Sequence, residues 1–173
     1  MNNYSNEFSI EWETLKNNFI SEMKEKPLPY ITEKTVNDWY HTASFRFESS
    51  IETEGMVLEQ LKKPDFRKAL LSKIKDFNFT AETCISKPSI AKSLIAGLIF
   101  GGVVGVGAWF LLPALKWISI ILGAACLAVP IIKYYNDIPQ YEEKAKVDLI
   151  KKYSNQLEEY KNELLLICKL HNL

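Results

Sequence analysis

The side chains best suited to metal binding or nucleophilic catalysis are few and widely separated in this sequence of 173 residues. The two histidines, His41 and His171, have no cysteine or carboxylate partner at a metal-ligand spacing such as HExxH. The three cysteines, Cys84, Cys126 and Cys168, include no CxxC pair, which favours reduced thiols over a disulfide framework or a zinc site. We therefore expect a protein that is not an enzyme, with no catalytic residues, no metal and no cofactor.

The stretch "VVGVGAW" is the one place where glycine spacing could bind a phosphate. Gly105 and Gly107 follow an apolar run, as in a dinucleotide-binding turn. However, the position of the third glycine is occupied by Phe110, and no acidic residue follows at about 20 residues to hold a ribose. The sequence therefore favours another explanation for its glycines.

A long apolar segment contains most of these glycines and predicts a pair of membrane spans. Lys92 and Lys116 enclose 23 uncharged residues, which is enough to cross a hydrocarbon core of about 30 Å. A second uncharged run follows Lys116, and the motif "PALK" between the two runs is too short for anything but a tight turn. We predict an antiparallel helical hairpin with spans at about residues 93–112 and 117–133.

Small residues recur every four positions along this predicted hairpin. Residues four apart share one helix face, and close backbone approach stabilises helix pairs in lipid. The first run carries the row Gly97, Gly101 and Gly105, and the second carries Ser119, Gly123, Ala124 and Ala128. This glycine zipper either packs the two helices of one hairpin together or mediates self-association between copies.

The charge distribution indicates the orientation in the membrane and the partners. Lysine and arginine balance aspartate and glutamate at 21 each, which argues against a nucleic-acid partner. Five lysines flank the hairpin on its terminal sides, namely Lys87, Lys92, Lys133, Lys144 and Lys146, whereas the turn has only Lys116. By the positive-inside rule, we expect an integral membrane protein with both termini in the cytosol.

The N-terminal flank predicts amphipathic helices. Residues 7–24 carry apolar side chains on one face, two prolines then break the helix, and a second helix is expected to start near Thr35 with a capping contact to Asp38. Residues 62–77 form a basic amphipathic helix, whose predicted contacts with anionic lipid are Lys62, Lys63, Arg67, Lys68, Lys73 and Lys75. The alternative is a solvated face that pairs with the acidic residues Glu48, Glu52, Glu54 and Glu59.

The C-terminal flank predicts one long helix from about Pro139 to Leu170, with Pro130 and Pro139 marking the exit from the hairpin. Its apolar residues alternate at spacings of three and four, as in a heptad seam typical of a coiled coil. The seam comprises Ile150, Tyr153, Leu157, Tyr160, Leu164 and Ile167. It either packs on the N-terminal helices or mediates self-association.

Together these patterns predict an all-α fold, with an integral membrane two-helix hairpin and a small cytosolic helical bundle built from both flanks. The expected divisions are residues 1–88, 89–135 and 136–173. This layout is similar to that of small two-span effectors of bacterial conflict systems (the SLATT group), and the hydrophobic hairpin resembles that of pore-forming colicin domains.

Three functions remain open at the level of sequence. The first is an effector that self-associates through the glycine zipper and perturbs or permeabilises the lipid bilayer. The second is a membrane-anchored adaptor whose cytosolic helices bind a protein partner. The third is a soluble, latent pore-former that buries its hydrophobic hairpin.

Overall fold

The computed structural model describes residues 3–53, 64–111 and 116–170, and this part of the chain is helical with no strand. The helices are α1 (Asn3–Glu25), α2 (Glu33–Thr53), α3 (Pro64–Asp76), α4 (Ile90–Leu111) and α5 (Lys116–Leu170), with a 3₁₀ turn at Leu28–Tyr30. The chain divides into two compact units. The helical unit comprises Met1–Cys84 with Lys146–Leu173, and the apolar unit comprises Ile85–Ala145, so that α5 contributes to both.

Helix α1 buries the apolar face that its sequence predicts. Phe8, Trp12, Phe19 and Met23 are fully buried, and their spacings of four and seven residues place them on one face. The helix ends at Glu25, two residues before Pro27, because a residue that precedes proline is disfavoured in the α conformation.

Helix α2 begins earlier than the predicted start near Thr35. The backbone N–H of Thr35 donates to Oγ1 of Thr32 at 3.2 Å, so Thr32 caps the helix and Thr35 already lies in the first turn. The predicted capping contact between Thr35 and Asp38 is therefore wrong. Further along, Val36 and Tyr40 are fully buried and face the same core as α1.

An extended segment follows α3 and is held by two amide side chains. Asn37 of α2 accepts from the N–H of Phe79 at 2.7 Å and donates to its carbonyl at 3.2 Å. Gln156 of α5 makes the same pair of bonds with Thr80, at 3.0 and 3.3 Å. These bonds satisfy backbone groups that no helix or sheet satisfies, and the ring of Phe79 is fully buried in the core.

Helix α5 runs through both prolines that were predicted to mark the end of the hairpin. Pro130 and Pro139 lie inside a continuous helix of 55 residues, so a new helix does not begin near Pro139. Each proline leaves the carbonyl four residues earlier without its helical N–H partner. Apolar helices tolerate such prolines where neighbouring groups or local adjustment satisfy the freed carbonyl.

The core of the helical unit combines residues from the two ends of the chain. Trp12 of α1 donates from Nε1 to the carbonyl of Leu157 in α5 at 3.0 Å, and both residues are fully buried. The ring of Phe79 packs against Phe19 of α1 and Tyr153 of α5, with ring centroids 5.6 and 5.4 Å apart. Truncation of a buried aromatic side chain of this kind costs about 3–5 kcal/mol.

Candidate functional site: the apolar helices and the charged surfaces

Two helices of the described chain are long and apolar enough to cross a membrane. In the apolar window of each, only 11% of the residues are buried. Large apolar side chains are instead exposed along both helices, for example Phe100, Val103, Phe110, Trp117 and Ile121. Soluble monomers rarely expose contiguous apolar patches of more than a few hundred Å², and larger ones mark a contact with lipid or protein.

The glycine row of α4 lies against α5. A Cβ atom on Gly101 would lie 2.8 Å from the carbonyl oxygen of Gly123 and 2.9 Å from Cγ of Leu127. A Cβ on Gly97 would lie 3.2 Å from the carbonyl oxygen of Leu127, and one on Gly105 would lie 3.6 Å from Cα of Gly123. The backbones therefore approach most closely at Gly101, where no larger residue fits without a shift.

The other small residues of α5 differ in their surroundings. Ser119 is 1% exposed, and its hydroxyl has no hydrogen-bond partner within the described structure. Ala124 is exposed and Ala128 is half-buried, so neither is enclosed as Ser119 is. Gly102 and Gly107 of α4 have open space where a Cβ would lie. In the predicted row of small residues on α5, Gly123 therefore lies in the contact with α4, whereas Ala124 is exposed.

The contacts between α4 and α5 define an antiparallel register. Gly97 meets Leu127, and Gly101 meets Gly123 four residues along each helix. The hydroxyl of Tyr141 donates to the carbonyl of Ile85 at 2.8 Å, which continues the same register beyond the start of α4.

The basic residues predicted to contact lipid are not equivalent. Lys68 and Lys73 of α3 are exposed, and Arg67 is half-buried. Nζ of Lys75 lies 3.1 Å from Oε2 of the buried Glu48. This pair agrees with the alternative prediction, in which the basic face of α3 pairs with acidic residues that include Glu48. Two of the predicted residues, Lys62 and Lys63, lie outside the described residues, as do Glu54 and Glu59 and the side chain of Glu52.

The seam of α5 lies in the core of the helical unit. Four of its residues are buried there, namely Ile150, Tyr153, Leu157 and Leu164, and Tyr160 packs against this core while partly exposed. The side chain of Ile167 lies outside the described residues. Burial raises the pKa of Tyr160 to about 12. The seam therefore contacts the N-terminal helices of its own chain.

Four charged side chains form a closed network between α1 and α5. Nζ of Lys16 lies 2.9 Å from Glu13 and 2.6 Å from Glu158, and Nζ of Lys161 lies 3.0 and 3.3 Å from the same two carboxylates. The hydrogen bond from Lys16 is the main cause that lowers the pKa of Glu13 below its ordinary value. Desolvation lowers the pKa of Lys16, but its bonds to Glu158 and Glu13 outweigh this and raise it.

This network is not predicted from the sequence above, although both of its helices carry a local pattern that contributes to it. Both helices carry the pattern Glu-x-x-Lys, at Glu13 with Lys16 and at Glu158 with Lys161. Each pair is an ordinary i,i+3 pair on its own helix. Only the tertiary structure brings the two pairs together, 142 residues apart in sequence.

A groove of about 570 Å³ runs between α1 and α2. Its floor contains Leu15, Trp39, Ala43 and Phe47. Its polar lining consists of Glu11, Thr14, Asn18, Glu22, Lys26, Thr35, Asp38, Thr42 and Arg46. The sequence contains no signal for this groove, because it depends on the packing of two separate helices.

The described residues contain no cluster of three or more histidine, cysteine, aspartate or glutamate side chains that could hold a metal ion. His41 is exposed and lies beside the ring of Tyr40, with ring centroids 6.3 Å apart. No protein-family model matches the chain, and no curated protein and no solved structure is significantly similar to it.

Proposed function

We propose that this chain is an integral membrane protein in which α4 and the N-terminal part of α5 form a two-span hairpin. The hairpin anchors the helical unit at the cytosolic face of the membrane, where that unit binds a protein partner. Helix α4 has 22 residues and a length of about 33 Å, which matches a hydrocarbon core of about 30 Å.

The observation that carries this proposal is the shared core of the two flanks. Phe79, which precedes α4, packs against Tyr153, which follows the second apolar stretch. Trp12 and Leu157 are joined by a hydrogen bond in the same core. Segments that share one folded core lie on one side of a membrane, so the chain between them has to cross it an even number of times. Two apolar helices satisfy this requirement as a hairpin.

The exposure of the apolar side chains supports insertion in preference to a soluble, latent state. A latent pore-former would bury its hydrophobic helices under amphipathic ones, whereas Phe100, Val103 and Phe110 of α4 are each more than 60% exposed. Lipid tails satisfy such a surface without any further protein contact.

The position of the glycine row supports an anchor over an effector that assembles through this row. Gly97, Gly101 and Gly105 already contact the backbone of α5 in the same chain, so contacts between copies on this face would require the two helices to separate. A second candidate function, a self-associating effector that permeabilises the bilayer, is supported by the open face at Gly102 and Gly107. That face leaves room for another helix to approach α4.

The topology is tested with a membrane-impermeant maleimide in sealed cells and in inverted vesicles. In a C126S/C168S background, the exposed native thiol of Cys84 marks the N-terminal flank, and E142C, made with C84S added to that background, marks the C-terminal flank. We expect both thiols to react only in inverted vesicles and to remain in the membrane pellet after alkaline carbonate. The variant K116C, at the first residue of α5 and made without the three native cysteines, is the control that reacts only in sealed cells. Labelling of the two flanks from opposite sides would refute the hairpin.

The two candidate functions are separated by leakage from liposomes that contain the purified protein. An anchor leaves a trapped dye inside, whereas an assembling effector releases it. For the effector, G102L and G107L should abolish release, since the added side chains would fill the open face of α4. Absence of leakage from liposomes with the wild-type protein would eliminate the effector and leave the anchor.

A further inference from the structure

We propose that the turn between α1 and α2 contacts the headgroup region of the bilayer and so fixes how the helical unit lies on the membrane. The turn comprises residues 27–31, and the side chain of Tyr30 enters the interface between water and lipid. This inference rests on the proposed hairpin, because it requires a membrane beside the helical unit. It adds a second contact with lipid, which the hairpin does not supply.

The turn lies at the end of the helical unit where α5 enters that unit. Nζ of Lys16 in α1 lies 2.6 Å from Glu158 in α5. Eight residues later in α1, the carbonyl of Lys24 accepts a hydrogen bond from the ammonium of Lys146, so the two helices run antiparallel. Lys146 is the first residue of α5 in the helical unit, and the turn begins two residues after α1 ends.

The other connection to the apolar helices leaves from the same end. The ammonium of Lys152 donates to the carbonyl of Thr83, one residue before this part of the helical unit ends at Cys84. Lys152 lies six residues along α5 from Lys146, which is about 9 Å. Residues 85–89 then span at most about 18 Å before α4 begins. When α4 is inserted, this end of the helical unit is therefore held close to the membrane surface.

The turn is held in one conformation by the core beneath it. Ile31 is 4% exposed, and Leu28 packs against the same core. Pro27 has a φ angle of −62°, the value that its ring imposes. Tyr30, in contrast, is 66% exposed, so a rigid base presents its ring to the surroundings.

The backbone of the turn makes little demand on water. Pro27 and Pro29 have no N–H group. The N–H of Tyr30 donates to the carbonyl of Pro27 at 3.0 Å. The N–H of Ile31 donates to the carbonyl of Leu28 at 3.1 Å. Satisfied backbone groups favour a position in the less polar interface, where tyrosine is one of the two enriched aromatic residues.

The last turns of α1 and the first turn of α2 carry charges of both signs in equal number. They are Glu22, Lys24, Glu25, Lys26, Glu33 and Lys34, and none of them forms an ion pair within the described part of the chain. Because these charges cancel, attraction to anionic lipid contributes little to the contact. A zwitterionic headgroup, with its phosphate and its ammonium group, offers a partner to each sign. We therefore expect a contact that does not depend on anionic lipid.

The contact is tested by fluorescence in liposomes that contain the full-length protein. In a C84S/C126S/C168S background, the fluorophore nitrobenzoxadiazole is attached to K34C, beside the turn, or to F45C, about 18 Å along α2 from its first residue. Both positions are exposed. The quencher is a phosphatidylcholine with a nitroxide on its headgroup. We expect stronger quenching at K34C than at F45C, to the same extent with and without anionic lipid.

Substitution of Tyr30 separates a specific contact from proximity to the membrane. With the label at K34C, Y30E should remove most of the quenching, because a carboxylate disfavours entry into the interface. Y30W should retain the quenching, since tryptophan is also enriched at interfaces. The matched control F45E places the same charge at another exposed aromatic residue and should leave the quenching unchanged.

Three results would each overturn the proposal: equal quenching at K34C and F45C, quenching at K34C that persists in Y30E, or quenching that appears only with anionic lipid. The last result would attribute the contact to basic residues such as the exposed Lys68 and Lys73 of α3. Carbonate extraction judges the hairpin separately. Release of the wild type from the membrane pellet would refute the anchor itself, whereas Y30E should stay in the pellet and lose only the quenching.

Discussion

The contact at Gly101 allows a quantitative prediction from a single added methyl group. In G101A, the new Cβ would lie 2.8 Å from the carbonyl oxygen of Gly123, about 0.6 Å inside an ordinary contact at 3.4 Å. The contacted oxygen belongs to the backbone of α5, which cannot rotate away as a flexible side chain would. The helices α4 and α5 therefore have to move apart. Overpacking of this kind costs about 1–3 kcal/mol, in part because a gap of 0.5–1 Å forfeits a quarter to a half of each dispersion contact.

The matched control is G102A, one residue along the same helix. Its Cβ meets nothing within 4 Å, so the substitution keeps only the gain of about 1 kcal/mol that alanine has over glycine in a helix interior. Because this gain is common to both variants, the overpacking cost of about 1–3 kcal/mol separates them. Both G102A and G105A, whose new contact at 3.6 Å is an ordinary one, should be more stable than G101A.

Hydrogen exchange of the α4 backbone in micelles measures this difference. If α4 exchanges by separating from α5, amides of α4 should exchange about 5- to 150-fold faster in G101A than in G102A, as the free-energy difference requires. Equal exchange in the two variants would refute the reasoning that Gly101 packs within its own chain. A lower molecular mass in G101A with unchanged exchange in α4 would instead place Gly101 between copies.

Three further predictions concern the helical unit. Because the pKa of Glu13 is lowered in the folded state, the network with Lys16 should stabilise the fold at pH values above the ordinary carboxyl pKa. This contribution should be lost as the pH falls through the lowered pKa. The variant E13Q should therefore show a weaker loss of thermal stability in acid. Since burial raises the pKa of Tyr160 to about 12, its phenol should stay protonated through pH 11 in absorbance titrations. The contribution of this phenol to stability should be lost between about pH 10 and 12, and the variant Y160F should not show that loss. Replacement in Q156A removes both bonds to Thr80 and should cost about 1–3 kcal/mol in denaturant unfolding, with faster exchange at that amide; an unchanged midpoint would contradict this role.

Local periodicity was sufficient to predict most of the helices. The apolar spacing in α1 and α3 predicts which side chains face a core, and Trp12, Phe19, Phe66 and Ile74 are buried as expected. The length and composition of α4 likewise predict a helix able to cross a membrane. These predictions succeed because burial repeats with the period of the helix itself, so neighbours in sequence carry the information.

Two features of the helices differ from what local sequence rules predict, namely the prolines inside α5 and the first residue of α2. Proline is disfavoured inside a helix, yet Pro130 and Pro139 both lie within α5, which continues on either side of each of them. The start of α2 was misplaced because Thr32 and Thr35 are both good capping residues, and the hydrogen bond to Thr32 selects the earlier one.

The sequence by itself determined that the chain is helical, where its apolar surface lies, and that its small residues recur on one helix face. Only the tertiary structure decided that Gly101 meets Gly123, that Glu13 and Glu158 share two lysines, and that a groove lies between α1 and α2. The physical reason is the separation along the sequence of the residues on which each feature depends. Helix period and hydropathy are properties of neighbouring residues, whereas these contacts join residues far apart in the chain, and packing of the whole core fixes which of them meet.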